Sequence, residues 1–180
     1  MKRTAALLGA AFAIAAIAAG SAGSATSKSS LAVLVAPTTT AASNGLTLQT
    51  EMTGSFNVAA KTASGSGTYS LMAGSTVLET GTFTLDQRLV TFQFYGCGEV
   101  TMEGERIPLP PDFCGGRVIF GIHATSSTGA RHDGLLEVNC QIHDPGGQAP
   151  PGTSEGVKVN ARGINFNKHI TGDNLIQMLP

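Results

Sequence analysis

From Gly45 to the C-terminus, short runs of β-branched, aromatic and aliphatic residues alternate with polar ones, and clusters of Gly, Ser, Asn and Asp separate the runs. A two-residue period of this kind marks strands with one buried face. It predicts ten of them, over residues 46–50, 55–60, 67–72, 76–85, 89–95, 117–124, 134–142, 157–161, 164–167 and 175–178. After the first 25 residues no stretch keeps apolar positions at helical spacing through three turns, and 23 Gly and 8 Pro leave a long helix no room. The expected fold is all-β, an antiparallel β-sandwich of about eight to ten short strands, with a closed barrel as the alternative.

The clearest local element is a hairpin over residues 117–143. Val118, Phe120, Ile122 and Ala124 share one face of its first strand, and Leu136, Val138, Cys140 and Ile142 share one face of its second. Each strand thus has a nearly pure apolar side and a mixed side, as a half-buried antiparallel pair requires. The connection, residues 125–133, is polar, contains Gly129 and reads as a surface loop. Two segments repeat one pattern fourteen residues apart: Gly67-Thr68-Tyr69-Ser70-Leu71 and Gly81-Thr82-Phe83-Thr84-Leu85. With no third copy, they read as neighbouring antiparallel strands whose aromatic and Leu enter one core, not as a solenoid unit.

The run Gly116-Arg117-Val118-Ile119-Phe120-Gly121, followed after the polar loop by Gly134-Leu135-Leu136-Glu137-Val138, resembles the post-COAP β-sandwich modules of secreted bacterial proteins. Gly156-Val157-Lys158-Val159 and Ile164-Asn165-Phe166 fit the same strand pattern. The resemblance implies a sandwich and carries no chemistry with it.

The beginning of the chain is of another kind. Lys2 and Arg3 precede an apolar stretch at 5–19, and small residues at 20–25 offer cleavage after Ala22 or Ala25. This is the layout of a secretory signal peptide. As helix the stretch spans about 22 Å, short of the roughly 30 Å hydrocarbon core, so no membrane anchor is expected after processing. There is no twin arginine, which favours the general export route, and the Ala-rich form looks bacterial; the processed protein is expected to be secreted or periplasmic. Residues 26–43, rich in Ser, Thr and Ala with Pro37 among them, read as a flexible lead-in. Within them 31–36 is either a first or edge strand or an unpaired tail. A single β domain then fills 44–180.

Composition narrows the partners. Removing Lys2 and Arg3 from the 11 basic residues leaves nine against 12 acidic, a net charge of −3, with no basic run. That argues against nucleic acid, whose phosphates need clustered cations. Trp is absent and aromatics are 6%, which weakens the case for a sugar-stacking platform. A cell-surface or protein partner stays open.

Three cysteines in an exported chain predict oxidation and leave one thiol over. A hairpin turn centred near Gly129 sets Cys140 opposite Val118 and leaves Cys114 about 13 Å further along, beyond the roughly 7 Å that a bridge spans. Cys97–Cys114 is therefore favoured, clasping the loop 98–113 with its Pro108, Pro110 and Pro111, and Cys97–Cys140 is the alternative. In the favoured arrangement Cys140 is a free, buried thiol.

Four histidines complete the inventory. His143 beside Asp144 lies at the far end of the hairpin from His123, about 25 Å away along the strands, so the two cannot share an ion. His123, His132 and Asp133 lie near one loop end and form the candidate metal or acid–base cluster, though their spacing matches no known motif. His169 stands apart. Glu99, Glu103 and Glu105 near Arg106 read as solvated charges on a loop, and the Pro/Gly-rich excursion at 145–152 as linkage. There is no His-Glu-x-x-His, Cys-x-x-Cys, calcium loop or nucleophile elbow, so no catalytic residue or cofactor is assigned. The leading expectation is an exported, non-enzymatic structural or binding module. The alternatives are a small secreted enzyme or metal-binding protein using the His/Asp cluster, and a barrel holding a small apolar ligand.

Overall fold

The computed structural model describes residues 30–102, 105–142 and 155–180. The segment read as a signal peptide, Glu103, His143, Asp144 and the 145–152 excursion lie outside them. Eleven strands follow in chain order: β1 (Ser30–Ala42), β2 (Leu46–Asn57), β3 (Thr62–Ala73), β4 (Thr76–Cys97), β5 (Glu99–Met102), β6 (Glu105–Pro108), β7 (Phe113–Ser126), β8 (Arg131–Cys140), β9 (Gly156–Ala161), β10 (Ile164–Thr171) and β11 (Asn174–Met178). The described residues contain no helix.

Nine strands form one antiparallel sheet, and the sheet closes on itself. β1, β2, β3, β4, β7, β8, β9 and β10 are successive neighbours, and β10 returns to β1 through Thr39↔Thr171, Thr40↔His169, Ala41↔Lys168 and Ala42↔Phe166. β11 is wedged between the first half of β1 (Leu31↔Met178 to Val35↔Asn174) and the start of β7 (Ile176↔Cys114). The all-β antiparallel expectation holds. The sandwich expectation, from pattern and resemblance alike, gives way to a single closed barrel. Both architectures bury one face of each strand, so the period-two pattern does not separate them; the β10–β1 and β4–β7 pairings do.

The lead-in is also corrected. Most of residues 26–43 form β1, which pairs with β2 on one side and with β11 and then β10 on the other. The exchange of partners falls at Pro37, where the β1–β2 register shifts between Val35 and Thr38. A bulge tolerates a residue with no N–H to donate. The Gly172–Asp173 turn packs there: Ala36 N donates to Asp173 O at 3.1 Å, and a Cβ on Gly172 would meet Pro37 O at 2.5 Å. Thr38 and Thr40 are buried because their hydroxyls donate to Ala36 O and Leu48 O.

Two predicted turns are absent. Residues 86–88 lie within β4 as a bulge, with register shifts around Leu85 and Leu89, so 76–85 and 89–95 are one strand. Residues 51–54 lie within β2, where Gly54 faces Gly65 so closely that a Cβ on Gly65 would stand 2.6 Å from Gly54 Cα. The repeat resolves as expected and further. Its copies pair with Gly67 opposite Phe83 and Tyr69 opposite Gly81, so each aromatic ring lies over the other copy's glycine.

The barrel is filled by alternate side chains, among them Val33, Met52, Phe56, Phe120, Leu136, Val138 and Ile176. Phe120 meets Phe56 edge-on at 5.8 Å. Outside, Glu137 on β8 joins Arg117 on β7 and Lys158 on β9. Burial alone would raise the Glu137 pKa, but hydrogen bonds from Arg117 and Lys158 outweigh it and hold the carboxyl below its ordinary range. A depressed folded-state pKa means stabilisation present above the unfolded value and lost as pH falls through the folded one. Glu137→Gln is therefore expected to lower the melting temperature at pH 7 by roughly 2–4 °C, for about 1 kcal/mol, with the gap closing towards pH 3. A gap that stays constant across that range in a thermal scan series would refute the assignment.

Candidate functional site

One end of the barrel, where β2 and β8 begin and β7 and β9 finish, holds a cavity of about 60 Å³. Its apolar wall comes from Leu48, Leu71, Phe83, Ile122, Leu136 and Phe166, all on the inward-facing series of their strands. Five polar residues stand among them: Thr50, Tyr69, Glu79, His132 and Arg162.

Glu79 organises the rim. The Tyr69 hydroxyl donates to Glu79 Oε1 at 2.7 Å, and Arg162 Nη1 donates to Oε2 at 3.1 Å. His132 Nε2 lies 3.7 Å from Oε1, too far for a hydrogen bond. Tyr69 reaches Glu79 because Gly81 opposite it has no side chain; a Cβ there would meet the Tyr69 ring at 2.6 Å. Arg162 comes from the two-residue turn between β9 and β10, where Arg162 and Gly163 have φ of 55° and 74°. Positive φ at both central residues is the hairpin turn that matches strand twist. The Tyr69 pKa is pushed up to about 12, first by burial and then by the Glu79 carboxylate, so its phenol stays a donor. Both Glu79 oxygens are engaged, which suits a structural clamp better than a proton acceptor.

Two polar atoms in the lining have no hydrogen-bond partner among the described residues: Thr50 Oγ1 and His132 Nε2. Thr50 is 3% exposed. Leaving a buried hydroxyl unpaired is unfavourable by about 1–3 kcal/mol.

The cluster expected from sequence is divided by the sheet. His123 and Asp133 face each other across the β7–β8 ladder, and His123 Nδ1 donates to Asp133 Oδ1 at 2.7 Å. Both are on the outside, 59% and 85% exposed, while His132 points in. Consecutive residues of a strand point to opposite faces, so His132 turns in towards Glu79 while His123 and Asp133 pair outside, although all three border one surface groove. The hydrogen bond to Asp133 raises the His123 pKa. Among the described residues no group of three or more His, Cys, Asp or Glu is placed to hold a metal. His169 packs its ring over Gly156, away from the cavity, and Glu99 pairs with Arg106 at 3.8 Å on the β5–β6 hairpin.

Cys97 and Cys114 are directly opposite in the β4–β7 ladder and form the disulfide. Cys140 is free and buried; it faces Gly116, two residues from the predicted register, because the turn is centred between Ser126 and Ala130. Burial pushes its thiol up to about 11, far from a reactive thiolate.

Thr50, Tyr69, Glu79 and Arg162 were not singled out from sequence. A signal existed for three of them. Glu79 shares the parity of Phe83 and Leu85, Thr50 that of Leu48 and Met52, and Tyr69 that of Leu71, so each is a polar group on a core-facing series. Arg162 carried no such mark. No family model, curated protein or solved structure matches this chain.

Proposed function

We propose that the chain is an exported, non-enzymatic binding module whose barrel takes the apolar part of a small ligand into its mouth. The observation that carries this reading is the apolar cavity of about 60 Å³ beside two polar atoms that make no hydrogen bond among the described residues. Barrel mouths are recurrent ligand sites, walled by apolar groups with a few polar ones for orientation. The volume is well below the roughly 300–1,000 Å³ of sites for drug-sized molecules, so the guest is a slim one. Arg162, 48% exposed on its turn, is the part of the rim that can swing aside for more. Export through the general secretory route is part of the same proposal. The charged, apolar and small-residue order of 1–25 supports it, and the Cys97–Cys114 disulfide is consistent with an oxidising compartment.

The test is an NMR titration of the processed protein with 1-chlorobutane, a slender apolar probe. Methyl shifts are expected to concentrate on Leu48, Leu71, Ile122 and Leu136. Shifts absent at saturating probe, or strongest elsewhere on the barrel, would remove the reading.

A further inference from the structure

We infer that the barrel mouth selects a neutral ligand with one hydroxyl group, held by Thr50 and His132; this rests on the binding reading above. Thr50 is exceptional among the buried threonines near it. Thr38 and Thr40 on β1 each donate to a backbone carbonyl, whereas Thr50 Oγ1, equally buried, has no partner among the described residues. Its inward position between Leu48 and Met52 directs it at the cavity it lines.

His132 supplies the second group. β2 and β8 stand four places apart in the ring of eight strands, so Thr50 and His132 come from opposite walls of the mouth. Both side chains line the same cavity. A threonine hydroxyl donates and accepts, and an imidazole nitrogen does either according to its tautomer. A ligand hydroxyl, itself donor and acceptor, satisfies the pair whichever way the protons lie.

Charge excludes the ionic alternatives. A carboxylate ligand would enter beside the Glu79 carboxylate, and the cation at the rim, Arg162, already pairs with Glu79. An ammonium ligand would need Glu79, whose oxygens already accept from Tyr69 and Arg162. The Glu79 and Arg162 charges cancel each other at the rim, and a neutral guest needs no ionic desolvation there.

The experiment compares 1-butanol, 1-chlorobutane, butyrate and butylamine by NMR titration of the processed protein and of its Thr50→Val variant. In the wild type, 1-butanol is expected to bind at the mouth and at least tenfold more tightly than butyrate or butylamine. In Thr50→Val the ratio of 1-butanol to 1-chlorobutane affinity is expected to fall about tenfold, with 1-chlorobutane binding within about twofold of wild type. The ligand-free variant is expected to melt no lower than wild type, since it loses a hydroxyl that had no partner. His132→Leu gives a second, independent reading of the same ratio. If no probe binds at the mouth, the binding reading itself falls. If 1-chlorobutane binds there but the ratio is unchanged in both variants, or an ionic probe binds most tightly, the hydroxyl inference is overturned and the binding reading stands.

Discussion

Phe120→Ala is expected to lower the stability of the barrel by about 3–5 kcal/mol, read as a fall in the urea midpoint at nearly unchanged slope. Phe120 is fully buried on β7, opposite Leu89 on β4 and Leu136 on β8. Its ring meets Phe56 from β2 across the interior, so one side chain ties four strands together. Removing it deletes the transfer contribution of the ring and leaves a void that a closed barrel is poorly able to collapse, because strand spacing around the ring is set by hydrogen bonds. The void would adjoin Leu136, which also lines the mouth cavity. The variant is accordingly expected to gain affinity for benzene, as apolar cavities of this kind do. A loss below about 1 kcal/mol would mean that Phe120 is not where the barrel places it.

Loss of the Cys97–Cys114 bridge is expected to be the next largest effect, about 3 kcal/mol for a loop of this length. The bridged residues are 17 apart in sequence and face one another at the end of the β4–β7 ladder, enclosing the β5–β6 hairpin. Cys97→Ser/Cys114→Ser and reduction of the wild type should give the same fall in urea midpoint. Amide exchange should accelerate first within 98–113. Cys140→Ser should leave the response to reductant intact, since Cys140 takes no part in the bridge. A wild-type midpoint insensitive to reductant, with the thiols shown to be free, would contradict this account.

These two expectations differ in how far they were readable beforehand. The inward position of Phe120 follows from alternation along 117–124, a local property. The pairing of Cys97 with Cys114 was favoured from hairpin register, but the observed register leaves Cys114 only two residues, about 7 Å, past the partner of Cys140. What decides the bridge is the direct opposition of Cys97 and Cys114 across the β4–β7 ladder. The mouth is another matter. Its polar members sit on β2, β3, β4, β8 and the β9–β10 turn, and Glu79 and Arg162 meet across 83 residues of sequence. The His123, His132 and Asp133 cluster was expected because 125–133 read as a loop; β8 instead begins at Arg131, and on a strand residues 132 and 133 point to opposite faces.

Period-two alternation and spacing between near neighbours were enough for the class of structure, the inward and outward faces of most strands and the β7–β8 hairpin, and for narrowing the disulfide to two pairings that both use Cys97. The return of β10 to β1, the place of residues 30–42 as a wall of the barrel, and the bend at 86–88 within a single strand came from the three-dimensional pairing alone. Closure is a matter of which distant edges share hydrogen bonds, and backbone N–H and C=O groups are the same in every residue but proline. The side-chain pattern therefore states which face is buried and is nearly silent on which edge meets which.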